Sequence, residues 1–149
     1  MPNRRAVSVL LFAGLAGGAL PAFAATAPLR DIGRDDPIRR VLLDALRPTI
    51  ERDLGQRVIF VVDELRLQGD AAFAMVRPRQ PDGAGIDFTR TRYAADIREG
   101  VFDGERTAAL LRRRNGVWRV LEFVIGPTDL AWEAWPQQYG VSRQLVGLG

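Results

Sequence analysis

The dipeptide Asn115-Gly116 constrains this chain more than any other feature. It lies between TAALLRRR and VWRVLEFVIG, two runs rich in apolar and β-branched residues. A two-residue connection with positive φ at both positions matches the right-handed twist of its flanking strands, and Asn-Gly adopts it most readily. The sequence therefore predicts a hairpin in which Arg113 faces Trp118 and Arg112 faces Arg119. A second hairpin is predicted at Gly69-Asp70, joining RVIFVVDELRLQ to AAFAMVRPR. In a regular register Val61, Asp63, Leu65 and Leu67 share the core face with Ala72, Ala74 and Val76, and Asp63 stands opposite Val76.

Upstream, DDPIRRVLLDALRPTIERDLG reads as a helix, with Asp36 as N-cap, Pro37 in the first position and Gly55 as its stop. Ile38, Val41, Leu42, Ala45, Leu46 and Ile50 recur at three- and four-residue steps and form its apolar stripe, while Pro48 predicts a kink. Residues 25–35 read as a flexible polar tail. Residues 79–105 are Gly- and Asp-rich and too long for a plain connection, so they form a functional loop or contain a further strand. In GPTDLAWEAW, Thr128 reads as an N-cap and Pro136 as a stop, which predicts a short helix with Trp132 and Trp135 on one face. The indoles then either close a core or wall a ligand groove. The tail VSRQLVGLG adds a strand, docks as an apolar strap, or stays exposed to recruit a partner.

Arg4 and Arg5 precede an apolar run broken by Gly14, Gly17, Gly18 and Pro21, and Ala22-Phe23-Ala24 ends the segment. This is the pattern of a secretory signal peptide over residues 1–24, which predicts a periplasmic or secreted protein. Cleavage removes two arginines, so the formal charge falls from +3 to +1, and nothing in it argues for nucleic-acid binding. No later stretch is long and apolar enough to span a bilayer. What remains, residues 36–149, suits one domain, and without cysteine it is held by burial alone.

The order of helix, two strands, loop, two strands and short C-terminal helix resembles the cystatin-like layout, a group that also contains the nuclear transport factor 2-like domains. The GPTDLAWEAW segment is similar to one that closes small exported proteobacterial proteins of unknown function. The resemblance implies an α+β fold: a long N-terminal helix packed across an antiparallel sheet of four or more strands, with a short C-terminal helix. It brings no catalytic motif, and the Q-x-V-x-G of cystatin inhibitors does not occur in this sequence.

Histidine, cysteine and lysine are absent, so imidazole-activated nucleophiles, Schiff-base chemistry, P-loops and Cys/His zinc sites are closed to this chain. An enzyme here would work through carboxylates, arginines, tyrosines or hydroxyls. Asp63, placed on an apolar face, is the candidate catalytic carboxylate; its other reading is a structural partner of an arginine. Arg112, Arg114 and Arg119 crowd one face of the second hairpin, where a carboxylate or phosphate would relieve them, unless Asp63 or Glu122 already does. The spacing of Asp82, Asp87, Asp103 and Glu105 fits turn chemistry and not a calcium loop, and no cofactor is expected. The sequence thus points to a non-catalytic periplasmic binding or accessory module. Its expected ligand is a peptide, a glycan, a small anion or an envelope protein, with Arg112, Arg119, Trp132 and Trp135 as binding residues and a site between the sheet, the 79–105 loop and the Trp segment. The alternatives are a small cofactor-free cavity enzyme built on a buried Asp63, or a subunit of a larger envelope complex.

Overall fold

The computed structural model describes residues 27–149; the signal sequence read at 1–24 lies outside them. Five strands pair in chain order into one antiparallel meander: β1 (Arg30–Asp31), β2 (Ile59–Gln68), β3 (Ala71–Arg79), β4 (Thr107–Arg114) and β5 (Val117–Ile125). Among the described residues, no helix is long and apolar enough to cross a membrane.

Both hairpin turns follow from backbone sterics. Asn115 and Gly116 take φ of 52° and 76°, the two positive values that a primed turn requires. Arg113 pairs with Trp118 and Arg112 with Arg119 across it. Gly69 supplies the positive φ, 59°, of the first hairpin, and Gln68 to Leu65 pair in order with Ala71 to Ala74. The regular register then breaks. Val62, not Asp63, pairs with Val76, because the register shifts between Val62 and Glu64. Asp63 is the extra residue of a β-bulge, and beyond it the two faces exchange. Phe60 and Val62 turn to the core, while Val61 is exposed.

Helix α1 (Pro37–Leu54) begins where Asp36 Oδ1 accepts from the Ile38 amide at 3.0 Å. It ends at Gly55, in the left-handed region, whose N–H bonds Glu51 O at 2.8 Å. Leu42, Leu46, Ile50 and Leu54, four apart, are its buried ridge. They pack with Leu65, Ala72, Ala74, Val76, Ala109, Leu111 and Trp118 into the first core. Val41, expected on that stripe, lies outside it and is exposed.

The opposite face of the sheet is sealed as well. Ala71, Phe73, Met75, Ala108 and Leu110 meet Trp132, Trp135, Leu145 and Val146 in a second core. This corrects the expected α+β fold of a long N-terminal helix packed across the sheet. The described residues are mostly sheet, and α1, the one helix of more than seven residues among them, is an ordinary element of about five turns. It is not a long N-terminal helix laid across an otherwise bare sheet. The physical reason is the C-terminal segment, which supplies enough apolar surface to make a third layer.

Two local expectations are corrected too, and a third point that the sequence left open is decided. The segment around residues 27–35 is tied down: β1 pairs with Arg66 and Leu67 of β2, and Ile32 is in the core. The C-terminal helix α3 is Trp135–Tyr139, so Pro136 sits in its first turn instead of stopping it. A proline lacks only an N–H that the first turn leaves unbonded in any case. Residues 80–105 hold a 3-10 turn (Phe88–Arg90), the five-residue helix α2 (Ala94–Arg98) and one isolated bridge from Arg79 to Gly85; none of the named strands falls within them.

Candidate functional site

The turns at 69–70 and 115–116 lie at one end of the sheet, because Ala71 pairs with Arg112. The C-terminal chain crosses this end at Gly140 to Ser142, and between them lies an open cleft of about 530 Å³. Its floor is apolar, from Ala71, Val141 and Leu145, and its wall is Arg112, Arg113 and Arg114. Gln68 and Ser142 close one side: the Ser142 hydroxyl donates to Gln68 Oε1 at 2.5 Å, and Gln68 Nε2 donates to Ala27 O at 2.9 Å.

The three arginines have different partners. Arg113 donates twice to Asp70 Oδ1, at 2.9 and 2.8 Å, and lies 5.7 Å from the Trp118 ring centre. Its charge is therefore answered within the chain. Arg112 donates to Tyr139 O at 2.6 Å, which fixes its fork at the cleft wall without neutralising it. Arg114 is exposed. Among the described residues neither Arg112, Arg114 nor Arg119 makes an ion pair.

The two carboxylates that might have relieved them are engaged elsewhere. Asp63 accepts from Arg77 Nε and Nη2 in a two-pronged pair, at 3.0 and 2.9 Å. Its side chain is 37% exposed, and it lies outside the cleft lining. Asp63 is thus a half-exposed structural partner of Arg77 and lines neither the cleft nor the cavity beside the start of α1, so the expectation of a buried Asp63 at a catalytic site is corrected. Glu122 accepts the Tyr139 phenol proton.

The remaining expected binding residues separate. Trp132 and Trp135 are each 3% exposed, in the second core against Phe73. They close a core and do not wall a groove, which corrects their assignment as binding residues. Arg119 stands opposite Arg112 on β5 but outside the cleft lining. The 79–105 loop joins the opposite end of the sheet, so the site expected between it, the sheet and the Trp segment does not form. A second cavity of about 440 Å³ beside the start of α1 mixes Asp35, Asp36 and Asp44 with Arg34, Arg39, Arg40 and Arg47. Its arginines stand among carboxylates of the same chain, with Asp44 paired to Arg47 at 2.5 Å and to Arg40 at 3.6 Å, while Asp36 is taken by Arg30 at 2.6 Å.

Asp70, Ser142 and the Tyr139 carbonyl were missed in the sequence. Asp70 could have been found, since a β3–β4 pairing places the first turn beside Arg113. The Tyr139 contact has no local signal, because it spans 27 residues. Also missed was a clasp holding the loop to α1: the Tyr93 phenol donates to Asp53 Oδ2 at 2.6 Å, and Arg92 reaches the same carboxylate at 2.8 Å.

Both tyrosines of the chain are held above the ordinary phenol range. Burial, then the Asp53 hydrogen bond, raises Tyr93; the Glu122 hydrogen bond, then burial, raises Tyr139. In an alkaline titration the folded protein should show less than half its phenolate absorbance at pH 10, while the urea-unfolded chain titrates near the free value of about 10. Between those pKa values the native state holds more protons than the unfolded one, so stability falls as pH rises above about 10. Tyr93→Phe should flatten that decline, and an unchanged decline would show that the clasp plays no part in it.

Among the described residues, no group of three acidic side chains is placed to hold a metal ion. At the cleft the Ser142 hydroxyl donates to the Gln68 amide oxygen and accepts from the Leu145 N–H, so its proton is directed at an amide and not at a base. The arrangement is equipped to hold an anion against an apolar floor. Compared with protein-family models, curated proteins and solved structures, the chain matches none.

Proposed function

We propose that this chain is an exported, non-catalytic module that binds an anionic ligand in the cleft between its hairpin turns and its C-terminal segment. One observation carries the reading: Arg112 and Arg114 enter the same cleft, and the one carboxylate there, Asp70, already serves Arg113. Two guanidinium groups on one wall repel each other, and a phosphate or carboxylate between them replaces that repulsion with charge-assisted hydrogen bonds. The apolar floor favours a ligand with a carbon skeleton beside its charge. The signal-like residues 1–24 support export, which puts such a ligand in the periplasm or outside the cell.

Pyrophosphate is a suitable probe. Titrated into labelled protein at low salt, it should shift the amide resonances of residues 68–71, 112–114 and 140–142. Arg114→Gln, which touches no partner side chain, should weaken binding about tenfold, the loss of one charge-assisted contact of about 1.4 kcal/mol. Shifts elsewhere, or affinity unchanged by Arg114→Gln, would remove the cleft from consideration.

A further inference from the structure

The sheet has two edges, and they are not alike. At one, β1 covers the C-terminal part of β2 with two residues that carry opposite charges, Arg30 and Asp31. At the other, β5 presents nine residues, Val117–Ile125, and among the described residues no strand pairs with its outer side. An edge of that length is a template for strand addition.

β5 also carries a bulge. Val120 pairs with Leu111 and Glu122 with Leu110, so Leu121 is the inserted residue. Its effect on side-chain direction can be read from the two cores. Trp118, Val120 and Phe123 pack on the α1 side, whereas Leu121 and Val124 pack on the C-terminal side. Glu122 lies on that second side too, through Tyr139, as does Arg119, across from Arg112. In a regular strand residues 119 and 122 would point to opposite faces. The bulge puts them on one.

We infer that β5 pairs antiparallel with β5 of a second copy of this chain, about a twofold axis at the bulge, with Arg119 opposite Glu122 of the second copy and the reverse. In this register Trp118 meets Phe123 on the α1 face and Val117 meets Val124 on the other, so both faces match on either side of the axis. Only Val120 and Leu121, at the axis itself, break the pleat. A bulge ordinarily discourages edge pairing; here it is what lets a self-pairing keep both faces aligned. Opposite charges fall directly across from one another twice, which is the favourable cross-strand arrangement. Val117, 49% exposed, would gain cover. Registers shifted to set Arg119 against Arg119 place like charges face to face and are disfavoured. This inference is independent of the arginine cleft, which lies on the turn side of β3 and β4.

A contact of nine residues a side is at the small end for protein interfaces, so the dimer should be weak, with a dissociation constant on the order of 100 µM. Sedimentation velocity over a concentration series should show a monomer–dimer equilibrium. Arg119→Glu should raise the dissociation constant at least about tenfold by setting like charges opposite each other twice. Glu122→Arg should do the same, and the R119E/E122R double variant should return it to within about threefold of the wild type. Among the described residues Arg119 bonds no side chain in the monomer, so R119E remains decisive if loss of the Tyr139 partner unfolds the Glu122 variants. A V117C/V124C variant, whose two thiols cannot meet within one strand, should oxidise to a covalent dimer in a chain with no other cysteine. A wild type monomeric at every concentration, a dimer indifferent to R119E, or oxidation that yields only monomer would each overturn the inference.

Discussion

Trp132→Ala should lower the unfolding free energy by about 3–5 kcal/mol, a large share of what a domain of this size has. The indole is 3% exposed. Its centre lies 6.2 Å from the Phe73 ring, its Nε1 donates to Val146 O at 3.1 Å, and Arg106 lies 5.5 Å from its face. Removing it leaves a cavity in the second core and strands the Val146 carbonyl in an apolar setting, two costs that add. The effect reaches the whole fold because Phe73, against which the indole packs, lies on β3, the central strand of the sheet. Urea denaturation should therefore show a midpoint shifted downward with an unchanged slope. Leu130→Ala, in the same segment but 50% exposed, should change stability by less than about 0.5 kcal/mol. If Trp132→Ala cost under about 1 kcal/mol, or lowered the slope, residues 127–149 would be unfolding apart from the sheet, and the three-layer architecture would not be one cooperative unit.

The contrast between these two residues shows what the sequence could and could not reveal. Turns read well, because Asn115-Gly116 and Gly69-Asp70 restrict φ locally, and the facing of Arg112 with Arg119 and of Arg113 with Trp118 followed from the turn alone. The ends of α1 read well for the same reason, through Asp36 and Gly55. Bulges did not read. Asp63 and Leu121 are each single insertions, and no residue type announces them, yet each exchanges the faces of everything beyond it. That is why Asp63 was expected in the core and is found with Arg77. The second core was illegible for a different reason. An apolar segment near a chain end says that it must be covered and does not say by what, so Trp132 and Trp135 fitted a groove as well as a core until the sheet face beneath them was known. The arginine cleft was half legible: the crowding of Arg112 and Arg114 is a matter of register, while the engagement of Glu122 by Tyr139 and of Asp63 by Arg77 depends on long-range packing.

The second large effect is expected at Gly126, where β5 ends. Its φ is +67°, and a Cβ added there would lie 2.2 to 2.7 Å from three carbons of the Phe102 ring. Neither party can yield easily. Gly126 N donates to Arg106 O at 2.8 Å, and its carbonyl accepts from Asp103 at 2.9 Å, so the backbone is held on both sides. Phe102 is held by Phe88, at 4.9 Å between ring centres, and by Tyr93, at 5.2 Å, and Tyr93 is clasped to Asp53. Gly126→Ala should thus cost about 1 kcal/mol for the left-handed backbone and a further 1–3 kcal/mol for overpacking. Gly55→Ala isolates the first contribution, since Gly55 has a φ of +68° with nothing within 4 Å of the added carbon; it should cost only about 1 kcal/mol. Phe102→Ala destabilises by itself, but in the G126A/F102A double variant the clash is gone, so the two losses should fall short of their sum by more than about 1 kcal/mol. Equal costs for Gly126→Ala and Gly55→Ala, or losses that simply add, would mean that Phe102 moves aside freely and that the 79–105 segment is not packed onto the end of β5.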